Sequence, residues 1–342
     1  MTSSDALLAA FSPEQQRSIR IEGLLMPEAR RRRDLFLSTA DPRFVHYTSA
    51  DAALEIIRQK RLWLRNTTAM ADYAEVQHGY RMLHEYFNSG QNRPTFLSPF
   101  DAVQPGVALD ALNRFDQYWN NPSQGFQTRT YIASISEHDP SEDRHGRLSM
   151  WRAFGANALA RVAMVFRVPR YSEALGFLNC MFSPVAYLSR ERAYEIIAEI
   201  IANISREQGF LRTLTRAEFS NWVFWTLALA VTCVKHEGFR EEREWRILYL
   251  PGLLPAGTAS HLEEEVRSIG SLPQVIYKLP IDAGVAPQLA HIDFTTMFDR
   301  LIVGPSAHPW VMYEAFTRAL ATAGVQNATE RVVTSDIPLR TL

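Results

Sequence analysis

The sequence predicts an α+β protein in which strands flank a helical block. Three observations predict it. Stretches rich in β-branched and aromatic residues occur before residue 170 and after residue 240, the stretch between them is helical in pattern, and the regular βαβ alternation of a doubly wound sheet is missing. The chain has 342 residues, 46% hydrophobic and 21% charged, which fits a globular protein and excludes collagen-like, coiled-coil and largely disordered classes.

Along the chain, Ser12 to Phe36 has helical apolar spacing and ends in Arg30–Arg33. That run reads as a solvated helix end near the negative pole of the dipole, with a nucleic-acid contact as the alternative. Arg43 to Ser49, RFVHYTS, reads as a strand and leads into a helix whose apolar positions Ala53, Ile56, Ile57 and Leu62 recur at helical spacing. Asp72 is expected to cap the next helix, with Tyr73, Val76, Tyr80, Leu83 and Phe87 on one face. Residues 89–110, with Pro94, Pro99, Pro105 and Gly106, read as an irregular connection before a helix from Ala111 to Trp119. Thr130 to Ser136 reads as a strand, followed by a polar loop, a short helix LSMWRAFG and an apolar strand ARVAMVFRV.

Residues 171–236 read as almost wholly helical. Within them Trp222, Trp225 and Leu229 recur at i, i+3 and i+7, a stripe expected to pack on the strand-bearing domain. Strands return at Arg243–Leu250, Val275–Ile281 and Asp299–Pro305, followed by a helix HPWVMYEAFTRALATAG and a closing strand ERVVTS. The expected organisation is an N-terminal helical extension over 1–40, two halves of an α+β domain over 41–170 and 237–342, and a helical insertion over 171–236.

Net charge is −1, from 36 cations against 37 anions, so no global field draws the chain to nucleic acid or an anionic membrane. Cys180 and Cys233 supply neither a disulfide framework nor four thiolates for a structural zinc. No cationic start with an apolar core opens the chain, and the most apolar stretch, Trp222 to Val234, is shorter than the roughly 20 residues of a membrane span, so a cytoplasmic protein is expected.

No phosphate loop, dinucleotide fingerprint, nucleophile elbow, zincin helix or C-x-x-C is present. The loop bearing His138, Asp139, Glu142, Asp143 and His145 holds metal-capable side chains, yet residues around Pro140 and Gly146 are those of an exposed turn, and no metal is expected. In FREEREWRIL, Glu242 and Glu244 stand two apart as a strand begins, which sends both carboxylates to one face with Arg246, while Arg243 and Trp245 face away. Carboxylates held beside a cation suit glycosyl transfer, one stabilising a developing positive charge and the other positioning a nucleophile. The plainer reading is a solvated charge cluster at a strand entrance.

The ordered set FVHYTS, ALEIIRQKRLWL, SISEHD, LSMWRAFG, VAMVF, FREEREWRI, LIVGP and TSDIPLR resembles the bacterial domain-of-unknown-function family 2971, from about residue 43 to 340. A looser likeness joins it: the His-Tyr-Thr strand with its helix and LWL segment, and the late E-x-E, are similar to ADP-ribosyltransferase folds. That resemblance implies small split mixed or antiparallel sheets and NAD as substrate. It implies that His46 holds a ribose hydroxyl, the backbone near Tyr47 and Thr48 holds the nicotinamide amide, and Ser136, Trp151 and Phe154 shape the nicotinamide pocket. Glu244 would bind the nicotinamide-ribose 2′-hydroxyl, Glu242 would orient the acceptor, and Arg246 would stand with the cofactor-binding set. The family often has W-x-x-Y where this chain has Trp151-x-x-Phe154, so a phenol hydroxyl is missing there. The expected activity is transfer of ADP-ribose to a protein or nucleic-acid acceptor, or hydrolysis of NAD. The alternative is a nucleotide-sensing or interaction module without turnover.

Overall fold

A computed structural model describes residues 12–70, 73–123, 125–153, 160–169, 174–254, 258 and 260–338. The expected Asp72 cap and Phe154 lie outside the described residues. The strands are β1 (Arg43–Ser49), β2 (Arg61–Asn66), β3 (Tyr131–His138), β4 (Arg161–Phe166), β5 (Cys180–Pro184), β6 (Ala186–Tyr187), β7 (Val234–Lys235), β8 (Glu244–Tyr249), β9 (Glu263–Ile269), β10 (Leu272–Pro280), β11 (Phe298–Val303) and β12 (Val332–Thr334). The class is therefore α+β, with a mixed sheet. The chain divides into two compact units, one of residues 1–35, 71–127 and 185–239 and one of residues 36–70, 128–184 and 240–342.

The second unit is built on a ten-stranded sheet, antiparallel except where β12 runs parallel to β11. One path through it runs β12-β11-β4-β1-β3-β2-β10-β9, and β3 also carries β8 and then β5 on its other edge. On the first edge, β3 changes partner: Ser136–His138 pair with β1, and Tyr131–Ile132 pair with β2. Ala133–Ile135 lie between the two ladders, so the sheet splits there.

Local chemistry explains β1 and the helix after it. Ser49 leaves the strand in extended conformation and its hydroxyl accepts from Ala52 N at 3.2 Å, capping helix Ala50–Gln59. Lys60, at φ 51°, ends that helix and turns the chain into β2. Leu62, expected on the helix, is a β2 residue as a result. Ala53, Ile56 and Ile57 are buried with Met164, Phe166, Met312, Phe316 and Leu320 in the main core, the last three supplied by helix Pro309–Thr322. A smaller core of Val45, Tyr47, Met150, Trp151, Ala163, Val165 and Ile302 forms where helix Leu148–Ala153 packs.

The first unit is helical, with a two-residue parallel ladder of β6 and β7. Its first helical stretch is broken into Pro13–Leu25 and Pro27–Leu37 where Pro27 interrupts it. The connection expected over 89–110 is instead largely helix Asn92–Val103, with Pro99 inside it and Phe96, Phe100 and Val103 buried. The helical block expected over 171–236 loses its start: residues 180–184 form β5 and pair with β8. Helix Arg216–Thr232 buries Phe219, Val223, Phe224, Leu227, Ala228 and Val231, whereas Trp222, Trp225 and Leu229 are only half-buried. Spacing alone does not choose the buried face here, because nine of the ten positions from Trp222 to Val231 are apolar. Among the described residues no helix is long and apolar enough to cross a membrane.

The Arg30–Arg33 run is engaged within its own unit. Arg30 pairs with Asp34 at 2.7 Å, Arg31 with Glu28 at 2.8 Å and Glu199 at 2.7 Å, and Arg33 with Glu22 at 2.5 Å, while Arg32 donates to the Val185 carbonyl. The run is paired, with Arg31 still 45% exposed, so the expected solvated end holds in part.

Candidate functional site

Pairing register decides what shares a face, because residues directly opposite one another project the same way. Ser136 pairs with Val45 on β1 and with Glu244 on β8, and Ser134 pairs with Arg246, which pairs in turn with Ser183 on β5. One face of the sheet therefore gathers Ser134, Ser136, Ser183, Glu244 and Arg246. Glu244 is 3% exposed and Arg246 0%. Ser134 Oγ donates to Glu244 Oε1 at 2.5 Å, and Arg246 Nε donates to the same oxygen at 2.8 Å. Ion pairing and a charge-assisted hydrogen bond offset the desolvation of both charges.

His46 meets the same residue from the other side. It pairs with Met164 and so alternates away from the face of Val45 and Tyr47. Its Nδ1 lies 3.0 Å from the Ser134 carbonyl, which belongs to the stretch of β3 between the two ladders. That carbonyl needs a donor, so the neutral ring carries its proton on Nδ1 and presents Nε2 as an acceptor. Burial holds the imidazole below its ordinary pKa against the opposing pull of the carbonyl. His46 and Glu244 thus converge on Ser134, one at its carbonyl and one at its hydroxyl. They do not share a face, as one common cleft required.

Glu242 is not on the strand. β8 begins at Glu244, Glu242 ends a 3-10 segment, Glu237–Glu242, and Arg243 between them sits at φ 44°, left-handed for a residue with a side chain. This breaks the alternation that would have put both carboxylates on one face. Arg147, absent from the sequence reading, holds the turn. It is 9% exposed, its Nη1 donates to the carbonyls of Glu241 at 2.8 Å and Glu242 at 3.1 Å, its Nη2 to the Glu137 carbonyl at 2.8 Å, and its Nε to Glu142 Oε1 at 2.9 Å. A planar fork with five donors suits this; an ammonium does not.

Tyr47 and Thr48 lie in the ladder with β4, opposite Ala163 and Val162. On the other edge, β1 has no described ladder partner past Val45. Tyr47 Oη accepts from Arg147 N at 2.7 Å, and burial pushes the phenol up to about 12. Ser136 is 2% exposed. Trp151, expected at a ligand pocket, is 1% exposed: its Nε1 donates to the His145 carbonyl at 2.8 Å, and Tyr47 meets it edge-on at 4.9 Å. A Cβ at Gly146 or Gly304 would stand 2.8 Å from its ring atoms. The indole is a core anchor with no open face.

The loop expected to be a solvated turn is part of a buried network. Arg43, 2% exposed, pairs with Asp143 and Asp299, each at 2.8 Å, and Asp299 also takes Arg300 at 3.0 Å and Arg167. These cations hold the Asp299 carboxyl below its usual range despite burial. His138 Nε2 lies 2.8 Å from Asp143, and burial lowers its pKa. Among the described residues no group of three or more His, Cys, Asp or Glu is arranged to hold a metal ion. Both cysteines are buried, and desolvation pushes the Cys180 thiol up to about 12, so it is a poor nucleophile.

Of the residues absent from the sequence reading, Ser134 had a signal: with the expected Ser136 it alternates with Ala133 and Ile135, the pattern of a strand with one small, polar face. Arg147 had no local signal, because its partners lie as far as 95 residues away.

Among known proteins, a family model described as a protein of unknown function, DUF2971, matches residues 150–247. That stretch holds Trp151, Glu242, Glu244 and Arg246, while His46, Tyr47, Thr48 and Ser136 fall outside it. No curated protein and no solved structure matches the chain.

Proposed function

We propose that this protein consumes NAD, transferring ADP-ribose to a macromolecular acceptor or to water. The observation that carries the reading is that His46 and Glu244, 198 positions apart, both bind Ser134 at the split in the sheet, though from opposite faces. The unladdered edge of β1 past Val45 offers backbone groups of the kind that hold a carboxamide. Nε2 of His46 accepts from a ribose hydroxyl. In the reaction the nicotinamide–ribose bond breaks and nicotinamide leaves with the electron pair. The cationic ribose carbon is captured by an acceptor nucleophile or water, which gives up its proton. A fixed carboxylate lowers the energy of that cation, and Arg246 and Ser134 hold Glu244 in one rotamer. Glu242, on its turn, remains the group for the acceptor.

A second reading, a nucleotide-binding module without turnover, draws on the burial of Glu244 against Arg246, which offsets the charge a developing cation needs. Incubation with adenine-labelled NAD and cell lysate separates the two. Transfer of label to protein or nucleic acid, with nicotinamide released, supports the enzyme. Saturable binding with intact NAD supports the module, and the absence of both transfer and binding overturns the NAD reading.

A further inference from the structure

At one edge of the ten-stranded sheet, β9 pairs only with β10 among the described residues. The chain turns between them through Gly270 and Ser271, at φ 57° and 68°, the two-residue turn whose twist matches paired strands. Ile269 stands opposite Leu272, and the pair flanking a two-residue hairpin turn exchanges both of its backbone hydrogen bonds. Alternation then directs the backbone groups of Arg267, Glu265 and Glu263 to β10, and turns those of Glu264, Val266 and Ser268 outward. An edge of this kind is a template for another strand.

The sequence of β9, EEEVRSI, complements itself when reversed. Laid antiparallel on a second copy with Val266 opposite Val266, Glu265 faces Arg267 and Glu264 faces Ser268. The outward groups then meet outward groups at all three positions. Shifting the centre to Glu264, the next outward residue, sets Glu263 against Glu265, and like charges directly opposite are disfavoured. Val266 at the centre is 71% exposed. The acids beside it are already engaged by their own sheet: Glu263 pairs with Arg61 at 3.3 Å and Lys278 at 3.2 Å, Glu264 accepts from Tyr277 Oη at 2.6 Å, and Glu265 pairs with Lys278. The strand's acidity therefore does not by itself repel a second copy.

We propose that β9 is a self-association strand, joining two copies of this chain through antiparallel pairing about a two-fold axis at Val266. The test is sedimentation velocity of the full chain over a wide concentration range, with Val266→Cys, Arg267→Glu and Arg267→Lys alongside. The native chain forms a concentration-dependent dimer, Arg267→Glu weakens it by at least about tenfold, and Arg267→Lys retains it. Because Arg267 also pairs with Glu55 at 3.2 Å, the cysteine variant gives a separate reading. Facing Cα atoms in such a pair lie about 5.5 Å apart, within disulfide reach. Both native thiols are buried, so mild oxidation of Val266→Cys yields a covalent dimer on a non-reducing gel. A chain that stays monomeric at every concentration, or a dimer that neither cross-links at position 266 nor responds to Arg267→Glu, overturns the proposal.

Discussion

Arg147 shows how much one side chain fixes. It binds three carbonyls from two chain segments together with the Glu142 carboxylate, and the turn it holds delivers Glu244 to β8. Arg147→Ala leaves those part-buried acceptors without donors and is expected to cost about 3 kcal/mol, read from the urea midpoint. Arg147→Lys recovers little of it, because one ammonium cannot reach all the partners. Two imidazoles set an acid limit. His46 and His138 both titrate below the ordinary 6.5 when folded. From 6.5 down to the folded values the unfolded chain binds more protons, so stability is whole above 6.5 and falls as the pH drops through that window. Thermal melts between about pH 7.5 and 5.5 should show the midpoint falling, with a shallower fall in His46→Gln; a midpoint that rises with acid contradicts the assignment.

At the scale of elements, the buried face of helix Arg216–Thr232 makes a direct prediction. Phe224 is 0% exposed, with the Arg114 guanidinium 4.0 Å from its ring centroid and Phe126 6.0 Å away. Phe224→Ala should cost about 3–5 kcal/mol, and Trp225→Ala distinctly less, in denaturant unfolding of the full chain. Equal losses would restore the stripe expected from spacing. What was legible followed local chemistry: the His-Tyr-Thr strand, its Ser49 cap and the helix behind it are written in adjacent residues. β9 was not, because charged Glu265 and Arg267 stand on its half-buried face, so no apolar alternation marks it. Helix Asn92–Val103 was hidden by Pro94 and Pro99, whose helix-breaking tendency is overridden by burial of Phe96 and Phe100. At the candidate site, Glu244, Arg246 and Ser136 were legible as chemistry, but which sheet face each occupies depends on registers set between distant strands and on the left-handed Arg243.

Over the whole molecule, each compact unit is assembled from three separated stretches of chain, which is why boundaries drawn along the sequence do not reproduce them. In the proposed NAD reading, the chemistry sits with Glu244, His46 and Ser134 on the sheet-bearing unit. Glu244→Gln keeps an acceptor for Ser134 and Arg246 but removes the carboxylate charge, at a cost of about 3 kcal/mol or more for the buried pair. Glu244→Asp keeps the charge and withdraws it by one methylene. The most direct measurement is nicotinamide release from NAD by purified native protein and both variants, each confirmed folded by circular dichroism. The NAD reading predicts release by the native chain, none by Glu244→Gln and a reduced rate for Glu244→Asp; undiminished release from folded Glu244→Gln, or no release from the native chain with water and lysate acceptors supplied, would overturn it.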